Sequence, residues 1–192
     1  YLSNGHKWLY SPKGSAVLWF NASIVTPLFP EPTVISSANP VPHTPLSERY
    51  SYVSVRDYTA FISMSAALSF RSRLGGDDAI HAYCRKLALD AKAFLMDLWH
   101  VAVLVPDDME TFMFNIPLPS PFADDFAMAS TMAEDLLADH NIYFRPLLEV
   151  GSGTVYTRLS SQIYLNMADF RQLGLLVNEY AERLILGRQA AA

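Results

Sequence analysis

The chain has 192 residues, of which 51% are hydrophobic and 12% are aromatic, and its mean hydropathy is +0.14. This composition excludes a disordered chain and supplies enough apolar side chains for one large domain or two small ones. Fourteen Lys and Arg residues against nineteen Asp and Glu residues give a net charge of −5, so we expect no nucleic-acid partner.

The number of cysteines and the lengths of the apolar stretches indicate where in the cell the protein is expected. Cys84 is the only cysteine, so no internal disulfide can form, and no Cys/His cluster offers a metal site. We therefore expect a cytoplasmic protein without a metal. The apolar stretches are shorter than the roughly 20 residues that span a bilayer, and no signal peptide is visible, so we expect no membrane partner.

The start of the chain predicts two strands and a connector. It begins at Tyr1 instead of Met, on a segment typical of a strand's end, so we expect a longer parent chain. Apolar runs at 8–10 and 16–20 predict two strands, joined by a tight turn over the Pro and Gly of residues 11–14. Six prolines within residues 26–45 exclude a regular helix and predict an extended connector.

Two helices follow the connector. Between about residues 57 and 73, apolar residues recur at helical spacing on more than one face, which predicts a well-buried helix. Gly75 and Gly76 end it. Asp77 and Asp78 then favour the start of a long amphipathic helix to about residue 99, in which Cys84 faces the core as a packing residue.

The rest of the chain predicts a small antiparallel sheet with helices on one face. Strands are expected near 101–105 and at 111–117, followed by a helix at about 124–138. Strands at 142–148 and 154–159 and a helix from about 168 to 186 complete this part.

Most titratable residues have an ordinary structural explanation. Acidic pairs lie at the starts of elements or on helix faces, and the histidines lack the spacing of metal ligands. The exception is Lys7, flanked by His6 and Trp8 at the end of a predicted strand. A partly desolvated lysine there would be a nucleophile toward an aldehyde, and the alternative is an ordinary surface lysine.

The Lys7 segment resembles a known family. The residues that carry the resemblance are Asn4, His6, Lys7, Trp8, Leu9, Pro12, Lys13, Gly14 and Ala16. With this spacing the segment resembles the Schiff-base lysine segment of the class V aminotransferase superfamily, whose members depend on pyridoxal 5'-phosphate (PLP). Within that superfamily it is most similar to the isopenicillin N epimerase and cysteine-sulfoxide lyase branch. Further blocks of similar spacing lie at 56–63, 67–76 and 158–164.

The resemblance implies a fold and a domain division. The class is α/β, with the PLP-dependent transferase fold type I. Residues 1–100 would be the C-terminal remnant of the PLP-binding large domain, and residues 101–192 the small α+β domain. The full-length protein is expected to be a homodimer.

The resemblance also implies site residues. Lys7 would form the internal aldimine with PLP and later move the substrate Cα proton. Asn4 and His6 would lie beside the cofactor phosphate, and Arg158 would bind the substrate α-carboxylate. Where the family commonly has Gly-Thr, this chain has Ser54 and Val55, so Ser54 is expected to supply the substitute hydroxyl.

Several activities stay open. We favour a PLP-dependent C–S lyase acting on a cysteine S-conjugate or sulfoxide. The alternatives are racemisation like that of isopenicillin N epimerase, transamination, and a truncated non-catalytic paralogue. The family segments that hold the phosphate loop, the residue stacked on the ring and the Asp paired with the ring nitrogen cannot be assigned in this sequence. We therefore expect the chain alone not to be a competent enzyme.

Overall fold

The computed structural model describes residues 1–21, 23, 55–102 and 104–190, which fall into two compact units, Tyr1–Gly76 and Asp77–Ala192. The predicted connector at 26–45 and the candidate residue Ser54 lie outside the described residues. In chain order the elements are β1 (Leu2–Asn4), β2 (Ala16–Leu18), α1 (Thr59–Arg73), α2 (Gly76–Trp99), a 3-10 turn (Asp107–Met109), β3 (Met113–Pro117), α3 (Phe126–His140), β4 (Pro146–Leu148), β5 (Val155–Ser160) and α4 (Met167–Ala190).

The first unit contains an antiparallel pair, β1 and β2, in which Leu2 lies opposite Leu18. The prediction of a strand at 8–10 is wrong, because the strand is Leu2–Asn4 and residues 5–9 form a turn. Tyr10 has a φ of 62°, in the left-handed region that an extended strand does not use. Lys7 therefore lies within a turn and not at the end of a strand.

Helix α1 occurs where the sequence predicts it, but the prediction that it is well buried is wrong. Ala67 and Arg71 are its buried residues in the described structure. Large apolar side chains elsewhere on the helix are exposed, and Ile62 reaches 75% exposure. The apolar residues are spread over more than one face, and only the face with Ala67 and Arg71 is covered.

The second unit is a three-stranded antiparallel sheet of order β3-β5-β4, packed against α2, α3 and α4. Phe114 and Ile116 on β3 are buried, as are alternate residues of β5, whereas Arg158 is exposed. This alternation follows from the two-residue period of a strand. It confirms the predicted small antiparallel sheet with one helix-covered face, including strands β3 and β5 and helices α3 and α4.

The strand predicted near 101–105 is wrong, since none of residues 101, 102, 104 and 105 lies in a strand. Helix α2 is confirmed, and Cys84 is fully buried, as expected for a packing residue. Buried residues of α2 such as Leu95 share one core with the sheet. The compact units accordingly divide between Gly76 and Asp77, while the family's domain division at residue 100 stays a prediction.

A buried lysine ties the segment after α2 to that helix. Lys92, whose side chain is 4% exposed, donates to the carbonyl oxygen of Val105 at 2.7 Å, to Asp107 Oδ1 at 3.0 Å and to Glu110 Oε1 at 3.1 Å. Burial lowers the pKa of Lys92, but its hydrogen bonds to Asp107 and Glu110 outweigh burial, so the pKa lies above its ordinary value. The buried Lys92 ammonium and its three acceptors, and not strand pairing, hold the segment after α2 to that helix.

The Lys92 cluster yields a stability prediction. Lys92→Met leaves the buried Glu110 carboxylate unpaired, so we expect a loss of about 3 kcal/mol in the free energy of unfolding at pH 7. Because the folded pKa is raised, Lys92 stabilises fully below its ordinary pKa of 10.5 and loses this effect as pH rises through the folded pKa. The difference between the two proteins should therefore shrink above that pH in urea unfolding.

The matched control is Lys86→Met on the same helix. Lys86 forms an exposed ion pair with Asp90 one turn away, so its removal should cost less than about 0.5 kcal/mol. Equal losses in the two variants would contradict the assigned role of Lys92.

Candidate active site

The Lys7 turn is closed by backbone hydrogen bonds. Gly5 N–H donates to the carbonyl oxygen of Ser15 at 2.9 Å, and Ser11 N–H donates to the carbonyl oxygen of Gly5 at 3.1 Å. A Cβ atom on Gly5 would lie 2.5 Å from Met64 Cε and 2.7 Å from Ser15 Oγ, so a larger residue does not fit without movement. Glycine here lets α1 approach the turn closely.

Helix α1 holds the other side of the turn. The Arg71 guanidinium donates to the carbonyl oxygen of Trp8, the residue after Lys7, and lies 5.1 Å from the centroid of the Tyr10 ring. Phe70 meets that ring edge to face at 6.2 Å. The backbone on both sides of Lys7 is thus fixed. The Lys7 side chain is exposed, so the predicted partial desolvation of its amine is wrong for the described unit.

His6 is the residue of the turn that most directly fits a bound group. Its ring is half-buried, and its Nδ1 atom is buried without a hydrogen-bond partner among the described residues. A buried unpaired polar atom is costly, and a ligand oxygen would accept from Nδ1–H only after the ring had turned, because Nδ1 is shielded here. Asn4, two residues before His6, is exposed at the end of β1, opposite Ala16. An exposed lysine that follows a histidine and an asparagine on one turn is a residue set that fits an aldehyde cofactor with a phosphate.

The Arg56–Asp57 block begins α1. The side chain and backbone N–H of Thr59 donate hydrogen bonds that lower the pKa of Asp57, and the N–H to Oδ1 distance is 2.8 Å. Arg56 lies over the rings of Tyr58 and Phe61 at 4.9 and 4.8 Å. Val55, just before this block, is 94% exposed. These contacts give the block a structural role at the start of the helix.

Arg158 lies in the second unit, on the exposed face of β5. It lines a cavity of about 590 Å³ together with Arg145, Ser160, Tyr164 and Asp169. The Asp169 carboxylate accepts the N–H of Asn166 at 2.7 Å, near the start of α4. Within the described ranges Arg158 has no carboxylate partner. An exposed guanidinium facing a cavity is the chemistry that a substrate carboxylate requires, and the role of Arg158 stays a prediction.

The sequence assigned no role to Arg71 or Arg145, which the structure places beside the two candidate regions. Arg71 lies in the 67–76 block. The sequence feature that could have identified it is its position four residues after Ala67, on a helix face otherwise expected to be buried. Arg145 directly precedes Pro146, and its position on the sheet depends on strand register, which the sequence did not give.

No family model matches the chain, but comparisons with curated proteins find relatives. Over 93% of its length the chain is 28% identical to the probable chloroplastic L-cysteine desulfhydrase of Arabidopsis thaliana, of which it covers 39%. It is 24% identical over 93% of its length to the hercynylcysteine sulfoxide lyase of Schizosaccharomyces pombe, of which it covers 45%. The L-cysteine desulfhydrase-like protein lolT1 of Epichloe uncinata is 21% identical, with 50% of it covered.

Among solved structures, the alanine–glyoxylate aminotransferase of Nostoc sp. matches with a TM-score of 0.54 and 18% identity over 69% of this chain and 33% of that one. These similarities confirm the predicted α/β class, the type I fold and the resemblance to the PLP-dependent class V aminotransferase-like superfamily. More particularly, the relatives are cysteine desulfhydrases and a sulfoxide lyase. The chain spans about two fifths to one half of their length.

Two further predictions concern membranes and the cellular location of the protein. No helix in the described part of the chain is long and apolar enough to cross a membrane. The cytoplasmic location stays a prediction.

The contact between Arg71 and the Lys7 turn can be tested by hydrogen exchange. In Arg71→Gln, loss of the charge-assisted bond to Trp8 and of the stack on Tyr10 should cost about 1.5 kcal/mol or more locally. The Gly5 and Ser11 amides, whose hydrogen bonds close the turn, should then exchange roughly tenfold faster. Arg73→Gln, an exposed change on the same helix, is the control. Unchanged exchange in Arg71→Gln would argue against a positioning role.

Proposed function

We propose that the protein containing this chain is a PLP-dependent C–S lyase acting on a cysteine S-conjugate or sulfoxide. The observation that carries the proposal is the similarity, over 93% of this chain, to proteins named for cysteine desulfhydration and for cleavage of a cysteine sulfoxide. The geometry supports it with a fixed turn that carries the exposed Lys7 side chain next to His6 in the chain, and with a cavity in the second unit that Arg158 lines.

The proposal gives each site residue a task. Lys7 would hold the cofactor through its amine, and Asn4, His6 and Ser54 would contact the phosphate. When bound, PLP supplies an electron sink for the electron pair left at the substrate Cα. The free Lys7 amine would accept the Cα proton, while the two-pronged Arg158 guanidinium holds the α-carboxylate.

The proposed reaction breaks the Cα–H and Cβ–S bonds of the substrate, and the sulfur group leaves with one proton. Water then replaces the nitrogen on the remaining three-carbon fragment, and pyruvate and ammonium are released. An epimerase would instead return the proton to the opposite face of Cα and would leave the Cβ–S bond intact.

Cofactor attachment can be tested by trapping. The sequence has four lysines, at positions 7, 13, 86 and 92, so PLP addition, borohydride reduction and peptide mapping distinguish them from one another and from the α-amine of Tyr1. We expect the pyridoxyl label at Lys7, because hydrogen bonds at Gly5 and Trp8 fix the backbone on both sides of it. Lys13 is the matched control, because it is also exposed and lies only six residues away.

The two lysines give a clear contrast. Lys7→Ala should abolish the specific label, and Lys13→Ala should leave it unchanged. Equal labelling of Lys7 and Lys13 would show that the turn has no preference for the cofactor and would defeat the assignment of Lys7.

The reaction class is decided by product. The full-length gene product with PLP should release pyruvate from a cysteine sulfoxide, and the Lys7→Ala form should lose at least 99% of that rate, since proton transfer by a positioned group contributes about 10²–10⁴-fold. Racemised substrate without a keto acid would support the epimerase alternative instead. Applied to the 192-residue chain, the same assay tests the expectation that it is not competent alone.

We also propose that the full-length protein is a homodimer. Helix α1 exposes the large apolar side chains of Phe61, Ile62 and Leu68, at 43, 75 and 48%. Exposed apolar groups of this kind favour a protein contact. Sedimentation of the full-length gene product at micromolar concentration should give the mass of a dimer, and a monomeric mass would contradict the proposal.

A further inference from the structure

A row of polar residues crosses the exposed face of the second unit's sheet. Asn115 on β3 lies opposite Arg158 on β5. On the other side of β5, Pro146 lies opposite Thr157, so continuing this antiparallel register by one residue places Arg145 opposite Arg158. Thr157 Oγ1 donates to the carbonyl oxygen of Arg145 at 3.0 Å, which fixes the Arg145 backbone at this position.

Burial agrees with this placement. Phe144 and Pro146, on either side of Arg145, are buried, whereas Arg145 is exposed like Arg158. Directly opposite residues of an antiparallel pair share a face, and their Cβ atoms lie about 4.5–5.5 Å apart. Two arginines therefore start from neighbouring backbone positions on one face, and both line the cavity of about 590 Å³.

Two like charges opposite each other on a sheet repel. Across residues 55–102 and 104–187 neither guanidinium has an ion pair with a carboxylate. The one acidic residue lining the same cavity, Asp169, accepts a backbone hydrogen bond from Asn166. The cavity thus carries two guanidiniums against one carboxylate, and an anion between the arginines would relieve their repulsion.

We propose that Arg145 is a second anion-binding residue, so that the cavity takes a ligand with two anionic groups, one on Arg158 and one on Arg145. The volume lies in the range of small-molecule sites. The extension to substrate rests on the proposed function: with the α-carboxylate on Arg158, Arg145 would select cysteine conjugates whose sulfur substituent carries an acidic group.

The test compares a dianion with the monoanion that lacks one of its two carboxylates. Succinate and propionate are titrated into the purified chain, and dissociation constants are measured from the NMR shifts of arginine side-chain N–H groups. We expect succinate to bind at least tenfold more tightly than propionate. Arg145→Gln should remove this preference while leaving propionate binding unchanged, and Arg158→Gln should weaken both ligands.

Arg171→Gln is the control, because it removes the same charge from the same unit outside the cavity. It should preserve the succinate preference, and its loss there would show a net-charge effect and overturn the inference. Equal binding of succinate and propionate, or an unchanged ratio in Arg145→Gln, would also overturn it. The titration needs neither PLP nor Lys7, so a missing pyridoxyl label would defeat the proposed function without changing this result.

Discussion

The close packing of the Lys7 turn against α1 is the constraint on which the first unit depends. A side chain on Gly5 would collide with Met64 unless Met64 moved, and Arg71 reaches across from the helix to the carbonyl oxygen of Trp8. Both contacts act on the backbone next to Lys7 and leave the side chain itself free. For the proposed attachment of a cofactor to Lys7 this division is favourable, because the peptide is fixed while the amine can still move.

The second unit positions its residues by alternation. Phe114, Ile116 and Leu159 must face the helices, so the residues between them, Arg158 among them, face away. The hydrophobic core therefore determines where the arginines lie, and its members Phe144, Leu159 and Phe170 also line the arginine cavity. A shift of one residue in register would exchange the two faces and would place Arg158 against the core.

Sequence periodicity predicted the parts of the fold that local pattern determines. The long helix α2 and strand β5 each repeat with their own period, and both occur where expected. The prediction of a strand at 8–10 is wrong because this segment belongs to a turn in which Tyr10 has a positive φ. That turn is closed by contacts with Ser15 and with α1, which lie further along the sequence. The prediction of a strand near 101–105 is wrong for a similar reason, since the Lys92 ammonium donates hydrogen bonds to Val105 and Asp107, which an apolar run does not reveal.

The candidate site shows the same limit. Family-like spacing singled out Lys7 and Arg158, because their motifs are continuous segments. Arg71 and Arg145 depend on contacts between segments, through a helix that crosses a turn and through the pairing of β4 with β5, so no local motif marks them. The burial of α1 was overestimated because apolar spacing alone does not say whether a neighbour covers each face.

The two candidate regions differ in how they combine stability with function. Arg71 is buried and hydrogen-bonded to the backbone of the turn. It affects the site only by holding the conformation of the turn, so a change at Arg71 also changes local stability. Arg145 and Arg158 are exposed, and the sheet beneath them is held by other residues, so their charges can change without loss of the core. Substitutions at Arg145 or Arg158 can therefore adapt the arginine cavity to a different acidic group on a ligand. The Lys7 turn tolerates fewer substitutions, because the contacts that position Lys7 also maintain the fold of the turn.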